Sequence, residues 1–331
     1  MFTEDFLTYL RTVKRYSDRT QDIYEGVLGS WCAFLCRDGE KLTDELVVGS
    51  LQPSLLRSYE VSLVSSGHSA RTVCQHMSAL SSFCRWLMLR GILDSNPAKR
   101  VSRPKVEKRL PYFYKEEALE EYLSSSAHAA DREALGFLEK ALAQCDEKMA
   151  KEIYESRLRR MVISLFAGTG IRRAELIGLR VGSFDPGRKI LKVRGKGDKM
   201  REIPLVGTLS EEISLYLKAA EALEGGARPA DSPMLITYSR GRLYPELVDR
   251  MVKRELEGVK GITGRKSPHV LRHTLATGLL NNEADLNSIK ELLGHSSLAA
   301  TQVYTHTSVA QLKQVYKQSH PRAKSGGKNG D

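Results

Sequence analysis

A mainly α-helical chain of two domains, the second of mixed α/β character with a small β-hairpin, is what the sequence predicts. Three observations carry this. Apolar residues recur at three- and four-residue spacing along most of the chain, the mark of amphipathic helices. Two short runs, ILKVR and MREIPL, instead alternate in strand fashion around a Gly-Lys-Gly-Asp turn. At 331 residues the chain is long enough for two cores, and a basic, proline-containing stretch divides it near residue 100.

The first hundred residues are expected to form four or five helices, of which Phe6, Leu7, Leu10 and Val13 mark the first. The second starts near Ser17, carries Ile23, Val27, Trp31 and Phe34, and stops at Gly39. A third follows Pro53 and ends before Gly67. The fourth has one apolar stripe, Val73, Met77, Leu80, Cys84 and Leu87. Its opposite side bears Arg71, Gln75, Ser78 and Ser82, which suit either a DNA-facing surface or a merely solvated one. Residues 99–109, KRVSRPKVEKR, hold six basic residues and one Glu, with no apolar period. An extended linker is expected, its Lys99, Arg100, Arg103 and Lys105 suited to phosphates.

Leu110-Pro111 opens the second domain. From about Ser124 to Ser156, Leu135, Leu138, Leu142, Cys145 and Met149 recur at helical spacing, predicting an added or lengthened helix rich in acids. The apolar run MVISLFA predicts a helix that breaks at Gly168-Thr169-Gly170, with Arg172 just beyond. Glu175, one turn on, is placed to hold that guanidinium. Lys196 falls at the tip of the predicted hairpin. In Ser267-Pro268-His269, Ser suits an N-cap and Pro the first helical position, which sets His269 and Arg272 on one face of a first turn. Gly294 is a natural helix stop before His295, and Ser296 and Ser297 suit the cap of a short helix carrying Tyr304. An amphipathic stretch with Leu312, Val315 and Tyr316 follows, then a flexible tail rich in Gly, Ser and Lys over 321–331.

The net charge of +11 suits a polyanionic partner, though charge alone serves solubility equally well. No apolar run suggests a signal peptide or a membrane span. The five cysteines, Cys32, Cys36, Cys74, Cys84 and Cys145, lie in apolar helical patterns and form no metal-ligand spacing. Buried thiols in a reducing compartment are expected.

Arg172, Lys196, His269, Arg272, His295 and Tyr304 supply two guanidiniums, one ammonium, two imidazoles and one phenol. This is a chemistry for phosphodiesters. Attack on the phosphorus builds charge on the non-bridging oxygens, which a planar guanidinium fork meets with two parallel hydrogen bonds. Paired arginines make a clamp of that kind. A phenol needs a nearby base or cation to attack well, and the leaving 5′ oxygen needs a proton, which Lys or His can supply. Taken singly, each of these residues also reads as surface charge or packing; the combination is what is unusual.

In this order, as GTGIRRAEL, RGKGDK, SPHVLRH, LLGHSS and TQVYTH, the residues resemble the active site of the tyrosine recombinases, and the Xer-type recombinases of bacteria in particular. The S-x-x-T-V pattern at Ser69 and the Asn96-Pro97-Ala98 triplet resemble the family's N-terminal domain. The resemblance implies a SAM-like core-binding domain over 1–98, a basic linker over 99–109 and a catalytic domain over 110–320 with an extra helical segment near 124–156. It implies no arm-site module of the larger phage integrases. It selects Arg172 over the adjacent Arg173. It also implies roles: Arg172 and Arg272 clamp the phosphate, Tyr304 attacks to form an O-(3′-phospho-DNA)-tyrosine, and Lys196 protonates the 5′ oxygen. His269 accepts or relays the tyrosine proton, and His295 hydrogen-bonds the phosphate. The reaction is a transesterification like that of type IB topoisomerases, with no metal, cofactor or ATP. Expected partners are double-stranded recombination sites, a homo- or hetero-tetramer docked through the tail in trans, and a septal DNA translocase, in the cytoplasm at the nucleoid. The expected role is resolution of chromosome dimers at cell division. The alternatives are an integrase or transposase of a mobile element, with the same chemistry, and a DNA-binding protein without strand exchange.

Overall fold

The structure, a computed structural model, describes residues 1–36, 41–106, 113–195, 198–281 and 285–294. The chain divides into two units, residues 1–109 and 110–331.

The first unit is helical: α1 (Phe2–Thr12), α2 (Asp18–Leu35), α3 (Asp44–Gly49), α4 (Pro53–Ser65) and α5 (Ala70–Leu89), then a 3-10 turn (Pro97–Arg100). α5 is its axis. Every member of the predicted stripe, Val73, Met77, Leu80, Cys84 and Leu87, is fully buried. The Ser69 hydroxyl accepts the Thr72 N–H at 3.2 Å, which caps α5 where the sequence breaks from Gly67. Around α5 the aromatic rings interlock: Phe83 lies 5.3 Å from Phe6 and 6.0 Å from Trp86, and Trp31 meets Tyr59 edge-on at 5.1 Å. Phe83→Ala is therefore expected to destabilise this unit by about 3–5 kcal/mol. Both tryptophans, Trp31 and Trp86, belong to this core, so urea unfolding followed by their fluorescence measures that loss directly. A midpoint unchanged from the parent would refute the packing described.

Sequence expectation and structure differ in several places here. Val13 is exposed beyond the end of α1 and does not join its stripe. α3, six residues long and capped by Thr43, makes the fifth of the four or five helices expected, and the sequence reading places no residues in it. The expected extended linker begins folded: Lys99 and Arg100 close a 3-10 turn set by Asn96, whose side chain accepts the Ala98 N–H at 3.1 Å and donates to the Ser81 carbonyl at 2.8 Å. Val101 then packs into the core. Of the cysteines, Cys84 alone is buried; Cys32, Cys36 and Cys74 are half-buried and Cys145 is exposed.

The second unit comprises α6 (Glu116–Ser125), a 3-10 turn (Ala127–Ala129), α7 (Arg132–Ala143), α8 (Glu147–Thr169), α9 (Arg173–Ile177), β1 (Phe184–Asp185), β2 (Ile190–Arg194) and β3 (Met200–Pro204). α10 (Gly207–Glu224), α11 (Pro245–Glu255), α12 (Pro268–Asn281) and α13 (Leu286–Leu293) follow. α8 is the central helix. It packs against α7, α10, α11 and α12, and from Arg160 to Thr169 every residue is buried, because a helix surrounded by helices has no solvated face. The expected hairpin is the β2–β3 pair, with Ile190 opposite Pro204 and Arg194 opposite Met200. β1 adds a third antiparallel strand on the far side of β2, too short to be read from alternation.

The single helix expected over 124–156 is two. Cys145 has φ +58° and ends α7, and the Asp146 carboxylate caps α8 by accepting the Met149 N–H at 3.0 Å. Met149 is exposed and Leu142 half-buried, while Leu135 and Leu138 are core. Two buried arginines of α8 fasten this segment. Arg157 donates to the carbonyls of Ala130 and Asp131, and Arg160 to Leu123, Ser126 and, at 3.0 Å, Glu212 of α10. Among the described residues no helix is long and apolar enough to cross a membrane.

Candidate active site

α8 ends at Thr169 because Gly170 turns left-handed, with φ +60°. A Cβ there would sit 2.6 Å from Leu293 Cδ2, so the turn brings the chain tight against the end of α13. Two residues on, Arg172 is the N-cap of α9. Its backbone N–H donates to Glu175 Oε2 at 2.7 Å and its Nη1 to Glu175 Oε1 at 2.9 Å. Its Nη2 reaches across to the Gly294 carbonyl at 2.6 Å. Arg173 turns the other way and pairs with Asp249 of α11. Adjacent in sequence, the two arginines pair with different carboxylates, and Arg172 is the one that reaches the Gly294 carbonyl.

Arg272 comes from the first turns of α12 and is buried. Its Nη1 donates to the Gly170 carbonyl and its Nη2 to the Leu293 carbonyl at 2.6 Å. Burial, then the charge of Arg172, push its pKa down to about 10, with Glu175 opposing. The guanidinium stays charged at neutral pH. Each of these arginines has five N–H donors, so both retain donors for an oxyanion after these contacts. His269 is exposed on the first turn of α12. The desolvation it does feel, then the charges of Arg173, His273, Arg272 and Arg265, hold its imidazole below the usual range. It is thereby kept neutral and able to accept a proton.

Ser267 does not fulfil its expected role as a side-chain cap. Its hydroxyl is buried with no hydrogen-bond partner among the described residues, while its backbone carbonyl accepts from Val270 and Leu271. Gly294 stops α13 with φ +65°, as expected. Lys196, His295 and Tyr304 lie outside the described residues, as do the Tyr304 helix and the tail. The structure thus brings together Arg172, Arg272 and Glu175, with His269 one turn before Arg272 on α12 and within reach of its charge.

Sequence reasoning missed Arg201. On β3 it stands opposite Val193, which is buried, so it points inward with Ile203. It donates through both Nη atoms to Glu175, at 3.0 and 2.9 Å, and through Nε to the Leu292 carbonyl at 3.0 Å. Burial opposes ionisation of Glu175. The hydrogen bonds from Arg201 and from Arg172 outweigh it and hold the carboxyl below its ordinary range. The available signal was a charge at an inward position of an alternating strand.

In the first unit, Arg71 and Gln75 are exposed on α5, as are Lys99, Arg100, Arg103 and Lys105 further along. Arg103 donates to Ser78 at 3.0 Å and the Pro104 carbonyl lies 3.5 Å from the Cys74 thiol, so the start of the linker runs along this face of α5. Ser82 is engaged by Tyr24 at 3.3 Å and belongs to the packing.

Comparison with known proteins identifies relatives in sequence and in fold. A sequence model of the Phage integrase family matches residues 138–311, and one described as Phage integrase, N-terminal SAM-like domain, matches residues 3–91. The chain is 33% identical over 328 residues to the tyrosine recombinase XerC of Chlorobaculum parvum, covering 97% of this chain and 94% of that one. It is 33% identical over 318 residues to the tyrosine recombinase XerC of Mycobacterium sp. strain JLS, covering 96% and 98%. In fold it is similar to the XerH site-specific recombinase bound to a palindromic difH substrate in a post-cleavage complex. That match has a TM-score of 0.64 at 17% identity, over 99% of this chain and 83% of that one.

Proposed function

The chain belongs to the phage integrase family of tyrosine recombinases, enzymes that break and rejoin DNA, and we propose that it resolves chromosome dimers in the manner of the Xer proteins. The observation that carries the chemistry is the pairing of Arg172 and Arg272. Both are held by backbone carbonyls of one corner, Gly170, Leu293 and Gly294, so closely that one charge depresses the pKa of the other. A single phosphate seated there meets donors from both.

The reaction then runs in two balanced transfers. The Tyr304 oxygen attacks the phosphorus while the bond to the 5′ oxygen breaks. His269 takes the phenolic proton and Lys196 gives one to the departing 5′ oxygen. His295 donates to a non-bridging oxygen. The 5′ hydroxyl of the partner strand reverses the step, releasing Tyr304. One phosphoester replaces another each time, so bond energy is conserved. Four protomers on two sites pass through a Holliday junction. The first unit, as core-binding domain, grips the duplex with Arg71, Gln75 and the basic residues from Lys99 to Lys105, and residues 110–320 form the catalytic domain. A septal DNA translocase is a proposed partner of the assembled complex, at the nucleoid in the cytoplasm. XerC-named relatives over nearly the whole length support this role above that of a mobile-element integrase.

The test starts from a random-sequence duplex pool, enriched for fragments the protein binds. A nicked suicide version of the selected duplex, incubated with EDTA and without nucleotide, is expected to yield an SDS-stable adduct carrying the 3′ phosphate. Binding without any adduct would favour the non-catalytic reading and overturn this one.

A further inference from the structure

Arg201 is used by none of the roles above, yet it is the best-connected cation of the corner. Its side chain is 15% exposed and that of Glu175 5%. The two make a fork-to-fork pair, in which both carboxylate oxygens are bridged at 3.0 and 2.9 Å. The third nitrogen, Nε, holds the Leu292 carbonyl. Gly294 lies flat against the guanidinium: a Cβ added there would come within 3.0 to 3.2 Å of its Nη1, Cζ and Nε atoms. One side chain on the strand leaving the hairpin tip thus touches the carboxylate that orients Arg172 and the helix end that leads into His295. The last three carbonyls of this segment, Leu292, Leu293 and Gly294, are taken by Arg201, Arg272 and Arg172 in turn.

We propose that Arg201 is a positioning residue of the recombination reaction, locking Glu175, and through it Arg172, against the end of α13. The proposal rests on the reading that Arg172 binds the scissile phosphate. Without Arg201, Glu175 keeps Arg172 as its remaining cation and is free to swing. The Leu292 carbonyl also loses its donor. Arg172 would still carry its charge, held in a looser geometry. A lysine in place of Arg201 offers a point charge on a flexible stem, which cannot bridge two carboxylate oxygens and a carbonyl together.

The experiment measures single-turnover covalent capture of the selected suicide duplex over a range of protein concentrations. The variants are Arg201→Met, Arg201→Lys, Glu175→Gln and the double variant Arg201→Met with Glu175→Gln. Misplacing a phosphate clamp by about 1 Å costs on the order of 100-fold in rate, so Arg201→Met is expected to lose about that much at saturating DNA. Half-saturation should stay within about threefold of the parent, because the phosphate contacts of the rest of the protein remain. Arg201→Lys should not restore the rate. In the Glu175→Gln background, Arg201→Met should add less than about threefold, as expected of residues acting through one another. Capture by Arg201→Met at the parental rate, a loss confined to half-saturation, or full additivity with Glu175→Gln would each overturn the proposal. If thermal unfolding shows the methionine variant to be unfolded, the lysine variant, which keeps charge and most of the volume, decides alone: parental rate overturns, a large loss at saturation supports. A parent chain that forms no adduct refutes the functional reading instead, before any variant is compared.

Discussion

Tyr304→Phe is expected to abolish covalent capture of DNA, to at least about 10⁴-fold below the parent, while folding and DNA affinity stay at parental levels. The substitution removes one oxygen and nothing else. The lysine and histidines of the proposed site are nitrogen nucleophiles, which would give a phosphoramidate and not the same 3′ ester. Denaturing gels of the nicked duplex, run beside a gel-shift titration, separate the two properties. An adduct that persists with phenylalanine at this position would sink the assignment and make Tyr316 the next candidate.

The clamp should be nearly as sensitive. Arg172→Ala and Arg272→Ala are each expected to slow capture by about 10³ to 10⁵-fold, the range for arginines that meet charge developing on a transferring phosphoryl group. Arg272→Ala has a second cost: the buried carbonyls of Gly170 and Leu293 lose their donor, worth about 1–3 kcal/mol each when left unmet. A lower unfolding midpoint should therefore accompany Arg272→Ala more than Arg172→Ala, whose side chain is 32% exposed. Lys196→Ala provides the contrast. A substrate with sulfur at the 5′ bridging position leaves without protonation, so it should restore the lysine variant and neither arginine variant. Equal failure of all three on that substrate removes Lys196 as the general acid.

Much of this molecule was legible before its structure. The stripe of α5 and the stops at Gly170 and Gly294 follow from local chemistry, a period of 3.6 or a left-handed glycine, and local chemistry is what a sequence states outright. The Arg172–Glu175 pair was legible for the same reason, being one helical turn apart. What stayed hidden was decided at long range. Arg201 reads as surface charge until strand pairing places it opposite buried Val193. The break at Cys145 was masked by apolar residues that continue in helical register across it, although Asp131 and Asp146 both turn out to be caps. Ser267 had the right neighbours for a cap, but its hydroxyl is buried away from them. β1 is two residues long and exists only because β2 offers it an edge.

The corner around Gly170 and Gly294 can also be counted in charges. Arg172, Arg201 and Arg272 set three positive charges against the single negative charge of Glu175. Arg201 cancels that carboxylate, which leaves the charges of Arg172 and Arg272 unspoken for. An intact phosphodiester brings one negative charge and satisfies half of the excess. The five-coordinate phosphorus formed when a phenolate attacks carries two, and satisfies all of it. On the proposed reading, such a corner would hold the activated complex more firmly than the resting strand, which is the condition for speeding the step and not merely for gripping DNA.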